Sequence, residues 1–110
     1  MAAKVNITVD QGADFIYNVF LVDSGGSPVD LDGFTGRCQF RTSYSSPNYA
    51  NVNVSLNDPS TGAILLTMNS ASTANLTSTR YVYDVEVISN TSIVSRIMEG
   101  IITVNPNVTR

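Results

Sequence analysis

Apolar and polar residues alternate along most of this chain, and the alternation predicts its elements. Val5, Ile7 and Val9 are separated by Asn6 and Thr8. Successive side chains of a β-strand point to opposite faces, so this period of two marks a first half-buried strand. Gln11–Asp14 (QGAD) reads as a turn, and Phe15–Val22 as a second strand. That segment is apolar at every position but Asn18, which predicts burial on both faces and a central place in the sheet. Gly36–Thr42 is a third strand, with Cys38 and Phe40 facing one way and Arg37, Gln39 and Arg41 the other. Val52, Val54 and Leu56 mark a fourth, and Ile64, Leu66 and Met68 a fifth. Tyr81, Tyr83, Val85 and Val87 alternate with Val82, Asp84 and Glu86 in a sixth. Ile93–Val104 is a long last strand, and Gly100 inside it predicts a bulge or bend.

The segments between these strands carry turn chemistry: SGGSP, the polar loop SYSSPNY, NDPSTG and SNTS. Ser70–Thr79 is the one stretch that predicts a helical turn, capped by Ser70 or Ser72 and anchored by Leu76. About seven strands with no strand–helix alternation predict a single all-β domain over residues 1–110, a sandwich or small barrel. Leu76, five residues ahead of Tyr81, suits a tyrosine corner as well as an ordinary half-buried tyrosine.

Composition agrees. Apolar residues make up 43% of the chain, enough for one core in 110 residues. Asn, Ser and Thr together form roughly a third, while strong helix formers are scarce. Charge is sparse, and the net value of −3 provides no basic footprint for nucleic acid or an anionic membrane. No apolar run exceeds four residues, so no segment reads as a membrane span, and the first fifteen residues lack the apolar stretch of a secretory signal. The single cysteine excludes an internal disulfide and a cysteine-based zinc cage, and points to a reducing compartment. Five N-x-S/T triplets, at Asn6, Asn53, Asn75, Asn90 and Asn107, read as unglycosylated surface.

The densest cluster of special residues is DSGGSPVDLDGFTGRCQFR, Asp23–Arg41. Asp30 and Asp32 are the best candidates for a hard cation, since alternate carboxylates can share one. No third ligand follows at calcium-loop spacing, so an Asx-turn around Gly33 is the preferred reading, with Val29 and Leu31 entering the core. The glycine-rich segments lack the lysine and the following helix of a phosphate loop. The chain has no histidine. Asp84 and Glu86 share one strand face and could flank a small site, but solvent-face carboxylates on a half-buried strand are the commoner reading, and Cys38 reads as a small buried hydrophobe with no histidine to activate it. No catalytic residue, cofactor or metal is expected. Phe15, Tyr17, Val19, Leu31, Phe40, Leu66, Val85 and Val87 are the predicted core. What remains is surface: Tyr44, Pro47 and Tyr49 in the long loop are candidates to anchor a partner.

The order of motifs resembles a family. KVNITVDQGADFIYNVFLVDSGGSPVDLDGFTGRCQFR, GAILLTM, TSTRYVYDVEV and VSRIMEGIITVNPNVTR, together spanning Lys4–Arg110, are similar to small virion proteins of tailed bacteriophages. The likeness extends more loosely to the N-terminal domain of phage baseplate upper proteins. Two positions depart from the pattern: Asp32 stands where threonine is usual, and Cys38 where a larger apolar residue is usual. The resemblance implies an immunoglobulin-like antiparallel sandwich used as a structural module of the virion, assembled in the bacterial cytoplasm. It also implies a multi-copy subunit of the tail, baseplate or neck that docks larger virion proteins or fibres. A capsid decoration protein is the alternative, and a host-glycan-binding module a third. In this reading the partners are other virion proteins, with neither nucleic acid nor membrane. The contacts would lie on the last strand with Arg96, on the tail Asn105, Pro106, Val108 and Arg110, and on the loop of Tyr44, Pro47 and Tyr49.

Overall fold

The computed structural model describes residues 3–77 and 79–108. Among them eight strands form: β1 (Ala3–Lys4), β2 (Ile7–Asp10), β3 (Phe15–Phe20), β4 (Thr35–Arg41), β5 (Ala50–Asp58), β6 (Ala63–Met68), β7 (Arg80–Ile88) and β8 (Val94–Asn105). A helical turn, α1 (Ser70–Thr73), joins β6 to β7, and a short 3-10 turn (Pro59–Thr61) joins β5 to β6. The strands hydrogen-bond in the order β1–β8–β7–β4–β5–β6–β3, with β2 also on β8. β5 serves two sheets. Its first residues, Ala50–Val52, pair with β4, and the rest pairs with β6. The ribbon folds at β5 into two layers, β1/β2–β8–β7–β4–β5 against β5–β6–β3. This is an immunoglobulin-like β-sandwich.

The period of two does the packing. Every odd position of β7 from Tyr81 to Val87 is buried, as are Cys38 and Phe40 of β4 and Ile64, Leu66 and Met68 of β6. Leu31 enters from the segment that crosses between the layers. Phe40 sits at the centre, its ring 6.1 Å from that of Phe15 and 6.3 Å from those of Tyr81 and Tyr83. Six of the eight predicted core residues are buried; Tyr17 and Val19 are half-buried.

Those two exceptions share a cause, since β3 is an edge strand and not a central one. It pairs with β6 alone among the described strands. Its inner residues therefore lack a neighbour on one side, and its outer residues Ile16 and Phe20 stay 65% and 67% exposed. The N-terminal segment joins the other sheet, where β1 and β2 run parallel to β8. A parallel pair needs a long connection, and these strands lie at opposite ends of the sequence.

The N-terminal strand is also broken, at Val5–Asn6. The Val5 amide donates to the Glu99 carbonyl (2.9 Å), and the Val5 carbonyl accepts the Tyr83 hydroxyl (2.7 Å). A Cβ on Gly100 would run into that same carbonyl, so the glycine is required by close approach. The bulge expected at Gly100 lies instead at Ile97, where β8 has one residue more than β7 between Val85 and Glu86. The helix cap differs as well: Asn69 caps α1, its side chain accepting the Ser72 amide (2.8 Å), and the helix stops at Thr73. Leu76 is buried, as an anchor should be. Among the described residues, no helix is long and apolar enough to cross a membrane.

Candidate functional site

The two outer faces of the sandwich differ in chemistry. On the larger sheet, register brings together residues that lie far apart in sequence. Arg37 stands opposite Glu86, Gln39 opposite Asp84, Asp84 opposite Glu99, and Glu86 opposite Arg96. Arg37 Nε donates to Glu86 Oε1 at 2.6 Å, and Arg96 lies 3.2 Å from Asp84 and 3.8 Å from Glu99. The extra residue at Ile97 lets Arg96 and Glu99, three apart, share this face, since a bulge shifts the alternation by one. The result is a shallow groove of about 530 Å³ lined by Arg37, Arg41, Tyr44, Asp84, Glu86 and Arg96 among others. Both glutamates of the chain lie here. Partial burial, then the neighbouring Glu86, push the Asp84 carboxyl above its ordinary range, while Arg96 pulls it back. The positive and negative groups of this face largely satisfy one another.

The smaller sheet presents the opposite character. Ile16, Asn18 and Phe20 point outward from β3, and exposed Val22 follows them. From Phe15 to Val22 there is no charged side chain. The backbone edge is open as well. Leu21 donates to the Gly62 carbonyl (2.9 Å), and in an antiparallel ladder every second residue bonds the same neighbour. Val19, Tyr17 and Phe15 therefore spend their amides and carbonyls on β6, whereas those of Ile16, Asn18 and Phe20 point to the open side. The bridge between Val22 and Pro28 lies on the β6 side, closed by the Val29 amide on the Leu21 carbonyl (3.0 Å) and the Asp23 amide on the Ser27 carbonyl (2.8 Å). Sequence reasoning missed this surface, because a strand apolar on both faces reads as buried on both. The signal available was Asn18, a lone polar residue on the outward face.

The residues singled out from sequence are placed as follows. Asp30 Oδ1 accepts the Asp32 amide at 2.9 Å, and Gly33 has a φ of +82°, so the segment is the expected Asx-turn. Among the described residues, no group of three or more Asp, Glu, Cys or His converges as metal ligands would. Cys38 is buried between the layers, and burial, followed by the Asp84 charge, pushes its thiol up to about 12. Arg41 organises the long loop. It donates to the Ser46 carbonyl (2.6 Å) and to Gln39 (2.9 Å), and lies 4.7 Å over the Tyr49 ring. Tyr44, 82% exposed, overhangs the groove, while Pro47 is exposed beyond it. In the tail, Asn105 donates to Asp10 (3.2 Å) and the Asn107 amide to Gln11 (3.3 Å), so the segment is tied to its own chain. Pro106 and Val108 are exposed, and Arg110 lies outside the described residues. The loop and Arg96 thus meet at the groove. The tail leaves from the end of β8, and β3 lies at the far edge of the second sheet.

No protein-family model matches the chain, and no curated protein sequence matches it. Among solved structures, the fold is similar to that of the SrpA adhesin R347E mutant from Streptococcus sanguinis, with a TM-score of 0.54 and 10% identity. The match covers 92% of this chain and 55% of the adhesin chain. At that identity the likeness supports the fold alone.

Proposed function

We propose that this protein is a non-enzymatic structural subunit of a phage virion that docks larger proteins or fibres at the tail, baseplate or neck. The observation that carries the docking role is β3, an uncovered edge strand with an apolar, uncharged outer face. Folded chains ordinarily blunt such edges with charge, proline or a covering segment, because an open edge pairs with other chains. Here Phe15–Val22 carries neither charge nor proline, and β3 pairs with β6 alone among the described strands. The motif order from Lys4 to Arg110 supports the virion setting. Antibody labelling and mass spectrometry of purified particles from the gene's source test the reading. Label at the tail end is expected. Label on the head surface would favour the decoration alternative, and absence from particles would overturn both.

One observation favours a second reading, a saccharide-binding module: Tyr44 overhangs a groove rich in hydrogen-bonding groups. Exposed aromatic rings beside polar groups suit sugar faces. Binding on a glycan array that Tyr44→Ala abolishes would support it, and an array with no binder would end it.

A further inference from the structure

We propose that the occupant of the β3 edge is β3 of a second copy, paired antiparallel about a two-fold axis at Asn18. The inference rests on the docking role assigned to this edge and names its partner. The open backbone groups belong to Ile16, Asn18 and Phe20. Rotating this set about Asn18 places Asn18 opposite Asn18 and Ile16 opposite Phe20. These are hydrogen-bonded pairs on both strands, about six bonds in all. The same operation sets the exposed Ile16 side chain beside the exposed Phe20 of the other copy on the outer face, an aliphatic–aromatic cross-strand pair.

The ends of the strand fit this pairing. The bridge of Val22 with Pro28 is closed on the β6 side by the Leu21 carbonyl and the Asp23 amide, so the open side runs on as far as Val22. The residue that falls there is Asp14 of the second copy, and the chain turns away at Gln11–Asp14. No charged side chain of Phe15–Phe20 opposes its counterpart. By contrast, two copies meeting through the groove face would stack a set of charges that each copy has already paired.

Size sets the strength. β3 offers six residues a side, against the 20–30 or so of a stable interface. The pair is therefore weak in free solution and sustained where many copies are held close together, since tethering raises the effective concentration.

Sedimentation equilibrium of the full chain up to about 1 mM tests the pairing, with circular dichroism confirming the fold of each variant. The wild type is expected to associate reversibly to a dimer. Ile16→Lys adds a charge at an exposed position, and Asn18→Pro removes an outward amide; each is expected to weaken dimerisation about tenfold or more. Arg37→Ala, on the other face, should leave it unchanged. A wild type monomeric at the highest concentration, or a dimer indifferent to Ile16→Lys, would overturn the pairing. A monomer nevertheless present in virions would sink this inference and leave the structural role standing. A dimer absent from virions would do the reverse.

Discussion

The two outer faces of this sandwich are both sheet surfaces, yet on one the charges are paired across the strands and on the other an apolar edge lies open. The groove face of β4, β7 and β8 carries three arginines, both glutamates and Asp84, and its ion pairs satisfy one another across the strands. Its sheet ends at β1 and β2, edge strands whose exposed side chains include Lys4, Thr8 and Asp10, and β5 continues it into the second layer on the other side. From Phe15 to Val22 the β3 face has no charged side chain, and β3 pairs with β6 alone among the described strands. Charge on a sheet face keeps other chains away, while an apolar open edge invites them. The difference teaches that the docking surface proposed above is marked by what it lacks, a covering strand and any charge, more than by a conspicuous residue.

The largest effect tests whether the two faces belong to one unit. Phe40 touches Phe15 of one layer and Tyr81 and Tyr83 of the other. Phe40→Ala should cost about 3–5 kcal/mol, read by chemical denaturation as a single transition. Two separate transitions would break the comparison, because the faces would then unfold independently.

Next comes alkaline pH, acting through the interior that both faces cover. Burial holds the Cys38 thiol near 12, whereas in the unfolded chain it titrates near 9. Above pH 9 the unfolded state loses this proton first, so stability falls as pH rises from 9 towards 12, and is unaffected by this group below 9. Cys38→Ala should flatten that alkaline slope. In the native protein at pH 8, a thiol reagent should react far more slowly than in denaturant.

Smaller effects separate the faces directly. Arg37→Ala removes an exposed ion pair and should cost less than about 1 kcal/mol, diminishing with salt. Phe20→Ser, at an exposed apolar site, should change monomer stability by no more than about 0.5 kcal/mol at any salt. A salt-dependent Phe20 variant, or a salt-independent Arg37 variant, would blur the distinction.

The smallest concerns Asp84, whose carboxyl is raised by partial burial and by Glu86. The folded state therefore holds its proton more tightly than the unfolded chain does. Its charge costs stability at neutral pH, and the cost is relieved as pH falls through the carboxylate range. Asp84→Asn should leave stability unchanged or slightly raised at pH 7, by under about 0.5 kcal/mol for a partly solvated group. Its advantage should vanish in acid.

How legible all this was in the sequence depends on how much each feature owes to one strand alone. The alternation Tyr81–Val87 is buried at every position the period requires, because a strand's two faces are set by its own geometry. The Asx-turn at Asp30 was legible for the same reason: its bond closes within three residues. β3 was misread because burial on the second face depends on which strand lies beside it, and that depends on where Ala3–Asp10 pairs. The groove was visible only in pieces. Arg37, Asp84 and Glu86 each fell on a nameable face, but their meeting with Arg96 requires the register of three strands and a bulge at Ile97 that no local residue announces.

The open edge of β3 is the centre of this reading, and amide hydrogen exchange on dilute, monomeric protein tests it most directly. Tyr17, Val19 and Leu21 direct their amides to the neighbouring strand and should exchange slowly. Ile16, Asn18 and Phe20 direct theirs to solvent and should exchange fast, an alternation of at least about tenfold from residue to residue. Uniform slow exchange across all six would mean that something in the chain covers the edge, and would contradict the docking surface.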